Sequence, residues 1–245
     1  MKGVVLAGGL GTRLHPMTKI TNKHLLPVYK KPMIFYPIEM LVEAGIEDII
    51  IVTGGNSAGD FLRLIGNGSE FGLNHIHYTY QQGEGGIAEA LGLAAPFVDL
   101  DDKVVVVLGD NILEKGIAES VKTYAARPAD EAMVFLTEVD HPWEYGIADI
   151  QDGAITRIIE KPKDPPSNLA VIGVYMYPAG VFEFIKTLEP SARGELEITD
   201  VNNMYLDRGK LQYQILDGWW LDAGENPEEL LRANIKVARS LGADV

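Results

Sequence analysis

The 245-residue chain contains no cysteine. That excludes a disulfide framework, a thiolate nucleophile and a cysteine-held zinc site. No run approaches the ~18 apolar residues of a membrane-spanning helix. The first apolar stretch is broken by Gly8-Gly9 and is too short for the core of a signal peptide. Together these absences lead us to expect a soluble, cytoplasmic protein. Basic residues are also scarce, with 21 Lys and Arg against 35 Asp and Glu and a net charge of −14. A broad nucleic-acid or anionic-membrane surface needs the opposite balance, so no nucleic acid and no membrane is expected as a partner.

One further absence is local. No Asp or Glu precedes Glu39, yet Lys2, Arg13, Lys19, Lys23, Lys30 and Lys31 all fall in that window. Within it, Gly8-Gly9-Leu10-Gly11-Thr12-Arg13 directly follows the apolar run Val4-Val5-Leu6-Ala7. A glycine-rich turn leaving a strand exposes backbone N–H groups, and a basic surrounding favours several negative charges held together. The combination points to a polyphosphate. The dinucleotide fingerprint does not fit, because its third glycine would fall on Leu14 and Pro16 discourages an immediate helix. The Walker loop does not fit either, since Arg13 stands five residues after Gly8. A tight turn after a buried strand is the plain alternative.

Strand-like and helix-like runs alternate over residues 1–126. Strands are expected at Lys2–Ala7, Asp48–Thr53, Ile76–Gln81 and Lys103–Leu108, the last with four consecutive valines. Such continuous apolar runs suit a parallel sheet covered on both faces. Helices are expected at Met33–Ala44, Ser57–Ile65 and Ile87–Ala95, while Pro16, Pro27 and Pro32 keep residues 8–32 from forming one long helix. The rhythm changes near residue 130, with shorter strands at Ala132–Val139, Ile147–Ile150, Ala154–Glu160 and Ala170–Tyr177. Helices near Gly180–Thr187 and Thr199–Arg208 and strands near Leu211–Leu216 and Trp219–Leu221 follow. Asn226-Pro227-Glu228-Glu229 then gives a cap, a first-turn proline and two acids for a last helix to Ser240. The fold class is α/β, a Rossmann-like doubly wound mixed sheet. We expect a single domain, with a first half at 1–126 and a second half at 127–245 packed onto the first sheet.

Several motifs point in one direction. Leu6-Ala7-Gly8-Gly9-x-Gly11-Thr12-Arg13-Leu14-x-Pro16 leads into Lys23-x-Leu25-Leu26-Pro27 and Lys31-Pro32-Met33-Ile34. Later come Leu108-Gly109-Asp110-Asn111, Tyr145-Gly146, Glu160-Lys161-Pro162, Ala192-Arg193-Gly194-Glu195-Leu196-Glu197 and Trp220-Leu221-Asp222-x-Gly224. Over almost its whole length the chain resembles the sugar-1-phosphate nucleotidylyltransferases, most closely the members that join glucose 1-phosphate to dTTP. The resemblance implies Mg²⁺-dependent, direct in-line transfer giving dTDP-glucose and pyrophosphate, an early step toward dTDP-rhamnose and related cell-surface sugars. Use of UTP or another sugar 1-phosphate, or binding without catalysis, are the alternatives.

The resemblance also implies residue roles. The nucleotide would lie on Leu6, Ala7, Gly8, Gly9, Gly11 and Thr12, gripped by Arg13 and Lys23, with its base at Gln81 and Gly86. The sugar phosphate would meet Asn111, Gly146, Glu160, Lys161, Val171 and Arg193. Asp110 and Asp222 would hold Mg²⁺, and Arg13, Lys23 and Lys161 would be catalytic. Read alone, Gly109-Asp110-Asn111 is a turn and Lys161 a solvated loop lysine. The loop Gln82-Gly83-Glu84 departs from the family, which commonly has prolines there. His75 and His77 share a strand face but lack a third metal ligand in sequence, and no carboxylate partner is evident for His15 or His24. Trp219-Trp220 is expected to pack between the two halves. Homo-oligomerisation is expected by analogy, and longer members of the family extend past the final helix with segments for oligomer contacts and a regulatory nucleotide site.

Overall fold

The computed structural model describes residues 1–245, the side chain of Asn56 excepted. In chain order it contains β1 (Lys2–Ala7), β2 (Pro27–Val28), β3 (Lys31–Pro32), α1 (Phe35–Glu43), β4 (Asp48–Gly54) and α2 (Ala58–Ile65). Then come β5 (His75–Gln81), α3 (Ile87–Gly92), β6 (Lys103–Leu108), β7 (Asn111–Leu113), α4 (Ala118–Ala125) and β8 (Ala132–Glu138). The hairpin β9 (Gly146–Gln151) and β10 (Ala154–Glu160) precedes β11 (Leu169–Pro178), α5 (Val181–Ile185) and α6 (Ile198–Leu206). The chain closes with β12 (Leu211–Ile215), β13 (Trp220–Asp222) and α7 (Pro227–Ser240).

The centre of the sheet is a set of parallel strands. β1 pairs with β4 on one side and β6 on the other, and β5 extends the sheet beyond β4. Side chains alternate between the two faces, as the pleat requires. Val4, Leu6, Val104 and Val106 face α3, α5 and α6, whereas Val5, Ala7, Val105 and Val107 face α1, α2 and α4. Being buried on both faces is why these strands read as unbroken apolar runs.

The second half of the chain continues the same sheet rather than packing onto it. β11 runs antiparallel to β6, with Val174 opposite Val107, and β8 and β12 follow beyond β11. Asp152 and Gly153, at φ 51° and 79°, supply the two positive-φ positions of the tight turn between β9 and β10. A third apolar cluster joins the two ends of the chain. Leu14 from the glycine-rich segment and Val28 and Met33 pack with Leu221, Leu230, Ala233 and Val237. The Asn226 side chain caps α7 by accepting the Glu229 N–H at 2.8 Å.

Candidate functional site

A cleft of about 460 Å³ opens at the carboxyl ends of β1, β5 and β6. This is where parallel α/β sheets place ligands, because loops on opposite sides diverge there. Its first wall is the glycine-rich turn. Gly9 and Gly11 adopt φ 85° and 62°, and the Thr18 hydroxyl donates to the Gly11 carbonyl at 2.6 Å, holding the turn open. Gly8 has a steric reason of its own: a Cβ there would stand 2.5 Å from Gln81 Oε1. The buried Gln81 amide donates to the Gly86 carbonyl at 3.2 Å and to Glu89 at 2.7 Å. Its donors are thus engaged within the protein, leaving the carbonyl oxygen as the group that can accept from a ligand. Gly86, at φ 95°, lies against the Leu196 backbone, where a Cβ would meet the carbonyl oxygen at 2.5 Å. This glycine is needed by the protein's own chain packing.

The floor carries the carboxylates. Asp110 lies in the two-residue turn between β6 and β7, and Asp222 ends β13, whose partner strand places it opposite Asn111. Ala223 N–H donates to the Asp110 carbonyl at 2.9 Å, and Gly224 N–H to Asp222 Oδ1 at 3.1 Å. Lys23 Nζ bonds Asp110 Oδ2. Burial alone would raise the Asp110 pKa, but the Lys23 ammonium and the hydrogen bonds from Lys23 and Asn111 outweigh it and hold the carboxyl well below its ordinary range. Asp222 moves the other way, pushed up to about 7 by loss of water and by the charge of Asp110. Lys23 is raised: burial opposes its charge, but Asp110 and Asp222 prevail.

Asn111 locks this floor to the second half of the chain. Its amide donates to Asp110 at 3.1 Å, while its oxygen accepts from the Gly173 N–H at 3.0 Å and the Trp220 indole at 2.6 Å. At the far wall, Glu160 accepts from the Thr199 hydroxyl and from Arg193 at 3.4 Å. Arg193 also meets Glu195 at 3.3 Å and Glu197 at 2.8 Å. Lys161 takes φ 42°, a left-handed conformation rare for a residue preceding proline, with its N–H bonded to the Tyr145 carbonyl at 3.0 Å. A backbone held there aims the side chain in a fixed direction from the end of β10.

Of the residues anticipated from sequence, Leu6, Gly8, Gly9, Gly11, Thr12, Arg13, Lys23, Gln81, Gly86, Asp110 and Asn111 all line this one cleft. So do Gly146, Glu160, Lys161, Val171, Arg193 and Asp222. Ala7 does not. Its side chain is buried in the core beneath the sheet, and only its carbonyl faces the loop, accepting from Asn22 at 3.4 Å.

Other expectations need correction too. The basic window does not converge on the cleft. Lys2 starts β1 at the opposite end of the sheet and donates to the Phe97 carbonyl at 2.7 Å, while Lys31 pairs with Glu39. Of the basic residues before Glu39, the cleft receives Arg13 and Lys23, each paired with an acid from much later in the chain: Glu225 and Asp110. His24 does have a nearby carboxylate, with Nε2 at 3.9 Å from Asp110. Burial pushes its pKa down to about 3, so it is neutral, and its Nδ1 bonds the Asn22 side-chain oxygen at 2.7 Å. Trp219 and Trp220 separate: Trp219 packs against the α7 side of the molecule, and Trp220 lines the cleft beside Tyr145.

Sequence reading missed the acidity of the site. Eight carboxylates and four basic side chains line the cleft, including Glu84, Glu144 and Glu225, which no motif singled out. Among the described residues no group of three or more His, Asp or Glu side chains could by itself hold a metal ion. No helix is long and apolar enough to cross a membrane among them.

Comparison with known proteins fits this geometry. Residues 2–240 match the model of the nucleotidyl transferase family. A nucleotidyltransferase of low-salt glycan biosynthesis from Haloferax volcanii is 44% identical over 236 residues, 96% of this chain and 65% of that protein, so the chain spans just under two thirds of its length. A glucose-1-phosphate thymidylyltransferase from Neisseria meningitidis is 45% identical over 227 residues, covering 91% of this chain and 78% of the relative. Among solved structures, one described as a glucose-1-phosphate thymidylyltransferase from Bacillus anthracis in complex with sucrose superposes with a TM-score of 0.92 at 48% identity, over 100% of this chain and 97% of that one. A UDP-glucose pyrophosphorylase bound to UDP-glucose gives a TM-score of 0.83 at 26% identity, over 97% of this chain and 98% of that one.

Proposed function

The chain belongs to the nucleotidyl transferase family, and on that premise we propose that it transfers a thymidylyl group from dTTP to glucose 1-phosphate, releasing pyrophosphate. The observation that carries the reading is one cleft with a glycine turn and Gln81 on one wall, Glu160 and Lys161 on the other, and paired carboxylates between. The two walls are suited to two different anionic ligands that must meet.

Asp110 and Asp222 suit Mg²⁺, which is commonly held by one or two carboxylates while substrate phosphates and water complete its octahedron. Asp110 immediately precedes Asn111, the residue paired opposite Asp222, and both carboxylates line the cleft. The charge count also calls for a cation, because a cleft lined by more acids than bases must accept two polyanions. When bound there, Mg²⁺ supplies charge compensation around the transferring phosphoryl group. The chain's own residues do the rest. Arg13, released from Glu225, grips the outer phosphates and stabilises the departing pyrophosphate through its planar fork. Lys23, whose ammonium lies beside Asp110, would turn to the phosphate nearest the reacting atom. Lys161 positions the attacking sugar phosphate, and Glu160 accepts from sugar hydroxyls. A sugar phosphate has a second pKa near ~6 and is already largely a dianion at neutral pH, so no general base is required. In-line alignment and charge compensation carry the catalysis.

The Gln81 oxygen can accept the imide N–H that thymine and uracil share, so UTP is a second reading favoured by that same atom. The test is pyrophosphate release from glucose 1-phosphate with dTTP and UTP in parallel, with and without Mg²⁺. Release with dTTP that requires Mg²⁺ and exceeds that with UTP is expected. Absence of release with every nucleotide would overturn the assignment.

A further inference from the structure

The loop between β5 and α3 is where the chain departs from the prolines common in the family, and its Glu84 reaches across the mouth of the cleft. One carboxylate oxygen accepts the backbone N–H of Leu10 at 2.9 Å, a contact between residues 74 apart in sequence. Leu10 is the middle residue of the glycine turn, flanked by Gly9 at φ 85° and Gly11 at φ 62°. Successive N–H groups in such a turn form an anion-binding concavity. The carboxylate therefore occupies a donor of the concavity that the proposed function gives to the triphosphate.

We propose that Glu84 is an internal competitor for the nucleotide: it sets nucleotide affinity by occupying the Leu10 amide until a phosphate chain displaces it. The inference rests on the reading of the glycine turn as the triphosphate site. Sharing one N–H between two anions weakens both bonds, and the anions repel in a cleft already lined by eight carboxylates and four basic groups. Each nucleotide bound thus breaks one Glu84–Leu10 bond. That bond is exposed, so water replaces it readily and the substrate wins the exchange. The same loop begins at Gln81 and ends at Gly86, so release of Glu84 also frees the segment bordering the base. The effect belongs to the nucleotide wall alone, because Glu160 and Lys161 lie on the other side of the cleft.

The experiment compares the full chain with Glu84→Ala and Glu84→Gln. Glu84 is exposed, and its replacement leaves the core intact. KM values for dTTP and UTP are measured by pyrophosphate release, and the Kd for inorganic tripolyphosphate by calorimetry without sugar phosphate. Glu84→Ala is expected to lower both by about three- to tenfold. Glu84→Gln should lower them less, since an amide oxygen can still accept the Leu10 N–H but carries no charge. KM for glucose 1-phosphate should not change. A tripolyphosphate Kd that is unchanged or raised in Glu84→Ala overturns the proposal and makes Glu84 a brace of the turn. If the unaltered chain releases no pyrophosphate with any nucleotide, the functional reading fails, while the tripolyphosphate ratio still judges Glu84.

Discussion

Asp110, in the turn before β7, and Asp222, paired opposite Asn111, have surroundings that push their protons in opposite directions. For Asp222 the folded pKa of about 7 lies above its unfolded value, so between roughly pH 4 and 7 the folded state binds more protons than the unfolded one. Stability of the metal-free protein should therefore fall as pH rises through that window and level off above it. Asp110 works at the acid end: its depressed pKa contributes stability that is lost below roughly pH 4. Urea-unfolding midpoints across pH, with EDTA and with Mg²⁺, should show the neutral-range decline with EDTA and its loss with Mg²⁺. Mg²⁺ affinity should rise with pH up to about 7, because the ion must displace the Asp222 proton. A flat affinity from pH 5 to 8 would contradict the assignment. Arg13 is a simpler case, since its side chain is 59% exposed and supports no core. Arg13→Ala should lower turnover by orders of magnitude with little change in thermal midpoint, and an active variant would remove Arg13 from the mechanism.

At the level of elements, the glycine turn is held from below. Leu14 is fully buried among Leu221, Leu230, Ala233 and Val237, so α7 anchors a segment that follows the first strand. Leu14→Ala should cost about 2–5 kcal/mol of stability, measurable by denaturant titration, and should raise the nucleotide KM by loosening the turn. Asn226→Ala removes the cap of α7 and should cost about 1 kcal/mol. A nucleotide KM raised by the second change as well would show that the helix, not only the leucine, sets the turn. These elements also mark what sequence can and cannot express. The valines of β6 and the Asn226-Pro227 start of α7 were legible because their patterns are local and repeat at the period of the element. β7 has only three residues, too few for any period, and exists because it pairs with β13, the short strand expected near Trp219–Leu221. Lys161 looked like a loop lysine, and nothing in Glu160-Lys161-Pro162 reveals a left-handed backbone held by the Tyr145 carbonyl.

Across the whole molecule, charge was the property least legible in the sequence. The basic window before Glu39 is real in one dimension, but folding scatters it and brings acids from residues 84 to 225 into the cleft. Only the tertiary fold determines that Arg13 meets Glu225, 212 residues away. Strand order is similarly global, because β11 inserts beside β6 after a long excursion and makes one sheet of both halves. A fragment of residues 1–126 would leave the β6 edge and its valines unpaired, and such an edge recruits other chains. It should aggregate rather than fold, and a soluble monomeric fragment in size-exclusion chromatography would contradict this. The α7 contact has a consequence in time. During synthesis the glycine turn emerges first, but the cluster that buries Leu14 is incomplete until residues 221–237 have left the ribosome. The part of the site made earliest is therefore completed only when β13 and α7 arrive, and the growing chain has no finished nucleotide pocket before then.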